Sequence, residues 1–287
     1  MRGSQSGAAD SRTCAPGFAP AGAPSESRGC AAGRVTISAV TDQTVAELLA
    51  AGDDALAEAL FRTGDFGPAR EVLAQALAKV DAASDRGGRA RALDLLGMAA
   101  HFENITRLMT GGTVPAEDIQ AEERLFRQAL AAWQEAGAHA ATAHSLFGLG
   151  LVHQVLRDDW RAAMPYYWQA LELAYAPDSD GDLYLRSEVH RHVGFYFLVE
   201  DEQPSAAVQH LQLSLDLREE FGDPRRIPSG QVALARAELA AGHRDRAIGL
   251  LTSAVAQARD AGLRAERITD AEDALREAQE QATESDT

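Results

Sequence analysis

The stretch Glu188-Val189-His190-Arg191-His192 holds the residues of this chain best suited to chemistry. On a helix, Glu188, His192 and Tyr196 follow at i, i+4 and i+8 along one flank. A carboxylate one turn from an imidazole orients the ring and raises its pKa, as a general acid or base at neutral pH requires. The same trio also reads as a purely structural side-chain network, the commoner use of such spacing. His190 and His192 lie roughly 200° apart around a helix axis, so they cannot chelate one metal together. His190 shares its face with Val193 and Phe197, the pattern of a hydrogen-bonded histidine in a packed interior. The ligand spacings HxxxH and CxxC do not occur, and no metal or cofactor is expected. Ser145 and Ser187 lack a GxSxG elbow, and Gly111-Gly112 has neither the preceding strand nor the following lysine of a phosphate loop.

The elements that must position these residues announce themselves by repetition. A small residue, a bulky apolar residue four positions on, then Ala-Leu or a close relative recurs as Ala69-Leu73-Ala76-Leu77, Ala163-Tyr167-Ala170-Leu171, Ala207-Leu211-Ser214-Leu215 and Ala247-Leu251-Ala254-Val255. A degraded copy reads Glu122-Phe126-Ala129-Leu130. Small residues let one helix approach its hairpin partner closely, and the bulky residue fills the space toward the next hairpin. The predicted fold is all-α, with hairpins over about 43–83, 88–136, 138–176, 183–219 and 229–261 and a capping helix over 265–282. Order is expected to begin at Thr41-Asp42, a cap for the helix carrying Val45, Leu48 and Leu49. Gly64 suits a left-handed turn between the first two helices. Glu103 to Asp118 is an insertion without counterpart in the other hairpins, expected as a long loop or an extended helix end. In Pro165-Tyr166-Tyr167-Trp168, Tyr167 takes the core position, and Tyr166 and Trp168 are expected at the seam between repeats.

Composition narrows the function classes. The 287 residues carry a formal net charge of −16, which disfavours nucleic acid and membrane surfaces as partners. No apolar run reaches the roughly 18 residues of a membrane span or forms a signal peptide, so the expected compartment is the cytoplasm. Residues 1–40 are rich in Gly, Ala, Ser and Pro, and disorder is expected there. Cys14 and Cys30 both lie in that tail, where a structural disulfide is not expected. Val35, readable from a GTG codon, is an alternative translation start.

With these motifs in place, the chain resembles the tetratricopeptide repeat family over about residues 50–262. The resemblance rests on Leu96-Gly97, Leu149-Gly150 and Val193-Gly194 on the first helix of a hairpin, and on Gly64 with Phe66, or Trp160, at the turn. Matching alanines at 163, 207 and 247 stand 44 and 40 residues apart, beyond the usual period of about 34. The resemblance is thus to the extended repeats of bacterial, notably actinobacterial, signalling proteins, without their phosphate loop; a single lysine, Lys79, fits a high-GC genome. It implies a right-handed α-solenoid whose first helices line a concave groove. Carried over to this chain, the groove positions are Asp94, Met98, His101, Phe102, His144, Phe147, Leu151, Gln154, Glu188, Arg191, Phe195, Leu198, Arg236 and Leu239. These mix apolar and aromatic residues with polar groups, as a pocket for a small molecule or a peptide anchor does, and a cationic clamp for acidic peptide tails is not expected. The implied function is non-enzymatic: a protein or peptide partner held in the groove, with a homodimer as one option. A sensor or carrier of a small apolar molecule is the alternative, or an enzyme using His192 and Glu188 as acid/base pair with His101 or His144 assisting. A trough open along its length would favour the first reading, and a closed pocket the others.

Overall fold

The computed structural model describes residues 43–177, 179 and 181–285, with side chains as far as Glu280, so the expectations for the tail, Val35, Cys14 and Cys30 lie outside the described residues. Contacts divide the chain after Thr41, and the second unit, which begins at Asp42, holds every described helix. Among the described residues there are eleven α-helices and no strand.

The first helix, α1 (Val45–Glu58), starts one turn later than Thr41-Asp42 would place it. Thr44 is the cap: its hydroxyl accepts from the Glu47 N–H at 3.2 Å while the Glu47 carboxylate accepts from the Thr44 N–H at 2.6 Å. The reciprocal bonds satisfy two amides that the helix cannot, which is why Thr44 prevails. A π turn (Ala59–Thr63) extends α1, left-handed Gly64 (φ 75°) reverses the chain, and α2 (Gly67–Ala83) returns. Next come α3 (Arg86–Met109) with α4 (Ala116–Ala136), and α5 (Thr142–Leu151) with α6 (Trp160–Ala174), α5 again ending in a π turn (Val152–Leu156). The last hairpins are α7 (Leu183–Val199) with α8 (Pro204–Phe221) and α9 (Ile227–Ala240) with α10 (Arg244–Asp260). Finally α11 (Ala265–Ser285) packs on α10. The odd-numbered helices α1 to α9 are the first helices of hairpins. Most of the insertion is helical: α3 runs on to Met109, leaving only a short link to α4.

Each bulky residue of the repeating pattern sits in an apolar cluster: Leu73, Phe126, Tyr167, Leu211 and Leu251 are all buried. Fully burying one such side chain is worth about 1.5–3 kcal/mol, so these positions act as pegs between successive helices. Tyr166 stacks on His153 at 5.4 Å, whereas Trp168 stays half exposed with its edge toward His210 at 6.0 Å.

The first hairpin also touches the last. Four carbonyls at the end of any helix lack an intrahelical partner. At the π turn, the Phe61 carbonyl accepts from the Arg264 N–H at 2.8 Å, and the Leu60 carbonyl accepts from Arg267 Nε at 2.9 Å. Leu60 and Phe61 are buried with Ala258 and Leu263, at the link between α10 and α11. Three guanidinium groups surround the Phe61 ring, those of Arg225 and Arg226 at 5.1 Å and of Arg267 at 5.4 Å. The array therefore closes on itself, with the inward sides of the first helices facing one another across an interior.

Candidate functional site

Two adjoining cavities occupy that interior. One, about 210 Å3, lies beside the closing contact and draws on the π turn after α1 and on α3, α7, α8, α9 and α11. The other, about 220 Å3, lies between α1, α3, α5 and α7. Leu60, Phe102, Tyr184, Glu188 and Arg226 border both. Tyr184 is central to this partition: the Arg226 guanidinium lies 3.7 Å above its ring, Phe221 packs at 5.9 Å, and burial raises its phenol pKa.

Polar groups around the second cavity are already engaged. Asp94 accepts from Ser145 Oγ and from Trp133 Nε1, both at 2.7 Å, and so ties α3 to α4 and α5. Burial outweighs these bonds and raises the Asp94 carboxyl to about 7. His144 Nε2 lies 3.4 Å from Asp182 Oδ2. Among the described residues no group of three or more His, Cys, Asp or Glu side chains is placed to hold a metal.

The inward faces are held in register by one close approach, repeated in four hairpins. A methyl group added at Gly52 would lie 2.4 Å from the Leu73 side chain, at Gly97 2.6 Å from Phe126, at Gly150 2.3 Å from Tyr167, and at Gly194 2.6 Å from Leu211. In the fifth hairpin Ala235 stands where glycine would, packed with Leu251. Glycine on the first helix receiving the bulky peg of the second is the packing that the Leu-Gly and Ala-bulky elements of one repeat family encode. The fold is of the tetratricopeptide-repeat type. No protein-family model and no curated protein matches the sequence. Among solved structures, the chain is similar to BtubC (BKLC) from P. vanneervenii, with 20% identity and a TM-score of 0.43 over 77% of this chain and 92% of that one. It is also similar to nearly identical TPR-like repeats attributed to a kinesin light chain of Podosopora anserina, with 19% identity and a TM-score of 0.42 over 77% and 97%.

Most residues carried over from tetratricopeptide repeats do border the cavities: Asp94, Met98, Phe102, His144, Phe147 and Glu188 the second, and Phe102, Glu188, Arg191, Phe195 and Arg236 the first. His101, Leu151 and Gln154 are instead buried between helices, Leu198 packs on the cluster of Leu211, and Leu239 on that of Leu251. The Glu188–His192 pair does not form. Glu188 is ion-paired with Arg218 of α8, while His192 Nδ1 lies 2.8 Å from Gln154 Oε1, the same oxygen to which Tyr167 donates at 2.5 Å. Donation to that oxygen puts the proton of the neutral His192 ring on Nδ1. Burial and the neighbouring Arg191 lower the His192 pKa well below its usual value, opposite in sign to the expected rise.

His101 meets a partner that the sequence reading passed over. Glu122, the misfit in the degraded copy of the pattern, is fully buried, with Oε1 2.7 Å from His101 Nδ1 and Oε2 accepting from Asn104 Nδ2 at 2.9 Å. A glutamate where the other hairpins carry alanine was the available signal, since a buried carboxylate must find partners. His190 is buried inside its hairpin, its Nδ1 3.0 Å from His210 Nδ1 and its Nε2 3.1 Å from the Tyr175 hydroxyl. Burial and His210 lower its pKa to about 4.

Of the arginines at the first cavity, the sequence reading named only Arg191 and Arg236. Arg191, Arg218, Arg226, Arg236, Arg264 and Arg267 all border the first cavity, although only Arg191 and Arg236 lie on first helices. The others come from α8, the α8–α9 link, the α10–α11 link and the start of α11, elements that pack beside α7 and α9 along the array.

Proposed function

We propose that this protein is a non-enzymatic recognition module that encloses a small molecule within its ring of hairpins, as a sensor or carrier. Helical-hairpin arrays present concave faces to partners, and the coarse role of an interaction scaffold follows from the architecture. The observation that carries the narrower reading is the contact of Leu60 and Phe61 with Ala258, Leu263, Arg264 and Arg267. It bridges the trough along which an extended peptide would lie, and two part-open cavities of about 210 and 220 Å3 beside it support a smaller ligand. Their walls combine aromatic and aliphatic side chains with a few polar groups, the make-up of a small-ligand site. A protein partner would then engage the outer surface, where Trp168 and Val199 are exposed.

Catalysis has less support, because neither His101 nor His192 borders a cavity and both spend a ring nitrogen on a buried partner. Native mass spectrometry of protein isolated from its own host tests the reading. A co-purifying small molecule, lost on denaturation, is the expected result. Protein that carries none, and whose melting temperature no compound in a metabolite library raises, would overturn it.

A further inference from the structure

Resting on the reading of an enclosed small-ligand site, we infer that the first cavity takes an organic anion, a carboxylate or phosphate group on an apolar body, with Arg191 and Arg267 holding the charge.

The charge balance at this cavity is unlike that of the chain as a whole. Six guanidinium groups border it against three carboxylates, Glu188, Glu266 and Asp270, in a protein whose formal net charge is −16. Most of the six are engaged. Arg218 is ion-paired with Glu188 and donates from Nη1 to the Arg226 carbonyl and Ser229 Oγ, each at 2.7 Å. Arg236 reaches Asp270 at 3.1 Å, Arg226 reaches Asp223 at 3.2 Å, and Arg264 lies 3.9 Å from Glu266 at the solvent edge.

Two groups remain. Among the described residues Arg267 has one side-chain hydrogen bond, from Nε to the Leu60 carbonyl, and its guanidinium lies 5.4 Å over the Phe61 ring. Arg191 has no hydrogen bond and no ion pair among the described residues; its Nε is buried and its guanidinium lies 4.9 Å over the Phe195 ring. Desolvation lowers the pKa of both, that of Arg267 to about 10; neighbouring arginines add to the fall, and the charge of Glu188 opposes it without cancelling it. A guanidinium withdrawn from water without an acceptor is costly, and a second beside it adds repulsion. An oxyanion between them removes both penalties at once, and the planar fork of arginine matches a carboxylate or phosphate bidentately. The rest of the wall calls for an apolar body: Phe61, Phe102, Ile105, Phe195, Val232 and Leu263. Ile105 and Met109 belong to the overlong end of α3, so the insertion has a place in this site as part of its wall.

The test uses the full chain and three probes: 4-phenylbutyrate, its neutral amide, and 4-phenylbutyl phosphate, followed by calorimetry and thermal shift in wild type, Arg191→Met and Arg267→Met. The inference expects one or both anions to bind wild type at least tenfold more tightly than the amide. It also expects each variant to lose about tenfold or more of that affinity, the range of a charged hydrogen bond. Which anion binds better distinguishes a carboxylate ligand from a phosphate. Without any ligand, Arg191→Met is expected to melt at or above the wild-type temperature, because an unpaired desolvated cation gives way to an apolar chain of similar reach. A melting temperature lowered by several degrees without ligand, with no loss of anion affinity, would show that Arg191 is structural and overturn the inference. Equal binding of amide and anions overturns it while leaving the enclosed-site reading intact. Failure of all three probes to bind or stabilise the protein counts against both.

Discussion

Replacing Phe61 by alanine should open the ring without unfolding the hairpins. Phe61 is 2% exposed, packed with Leu60, Ala258 and Leu263 and ringed by the guanidinium groups of Arg225, Arg226 and Arg267. Truncating a buried phenylalanine costs about 3–5 kcal/mol, part of it the cavity left behind. Each cation over an aromatic face adds about 0.5–1 kcal/mol, and these three are not additive. A total near 4 kcal/mol exceeds what a local contact normally holds in reserve, so the closing contact should be lost in a large fraction of molecules. Hydrogen exchange read by mass spectrometry reports this directly. The Arg264 amide, bonded to the Phe61 carbonyl, and the first turns of α11 should exchange faster by two orders of magnitude or more, since each 1.4 kcal/mol is tenfold. Amides around Tyr167 in α5 and α6 belong to a separate cluster and should keep their protection. Phe61→Leu keeps apolar fill but loses the ring face, and should show a smaller, graded effect. Uniform loss of protection through all five hairpins, or unchanged protection in α11, would refute the reasoning that closure is a separable local contact.

Further outcomes follow from the buried groups. His190, at about 4 when folded and 6.5 when unfolded, makes the unfolded chain the better proton binder between those values, so its contribution to stability is lost as pH falls from about 6.5 to 4. His190→Gln should therefore gain about 3 kcal/mol relative to wild type over that descent, read from urea midpoints in a pH series. Asp94 runs the other way: raised to about 7 from 3.8, it costs stability as pH rises through that window, and Asp94→Asn should gain on wild type between pH 4 and 7. The two slopes oppose each other, so the wild-type pH profile should be flatter than either variant's. Gly148→Ala puts a methyl 2.2 Å from the ring of fully buried Phe126, and thermal melting should show a loss of about 1–3 kcal/mol. Gly249→Ala meets nothing within 4 Å and should be neutral or stabilising by up to about 1 kcal/mol.

The hairpins were legible in the sequence because their determinants are local. Gly97 with Phe126, Gly150 with Tyr167 and Gly194 with Leu211 each fix one helix against its partner, and each pair lies within some 30 residues. Of the fourteen carried-over groove positions nine border the cavities and five do not, since the glycine register orients a first helix but does not say which of its side chains are covered by neighbouring helices. What the sequence did not disclose depends on distance along the chain. Phe61 meets Arg264 only because small rotations between five hairpins add up to closure, and no local pattern states that sum. The arginine cluster draws four of its six members from a second helix, two links and α11, which a register read on first helices does not address. Glu188 and His192 have the spacing of a pair, but spacing on one helix does not rank competitors from others. Arg218 reaches Glu188 from α8 with a full charge, and Gln154 offers His192 an acceptor, so the pair is split. Glu122 was legible in principle, as a charged residue in a position of small ones.

Closure of the array is the claim on which the enclosed site and its anion rest, and a distance measurement reaches it most directly. With Cys14 and Cys30 replaced by serine, spin labels at Asp54→Cys on α1 and Thr269→Cys on α11 sit on exposed positions on either side of the contact. Electron double resonance should give one narrow distribution at the separation set by the closed ring, unchanged by dilution. A broad distribution displaced to longer distances, as an open trough would give, contradicts the account.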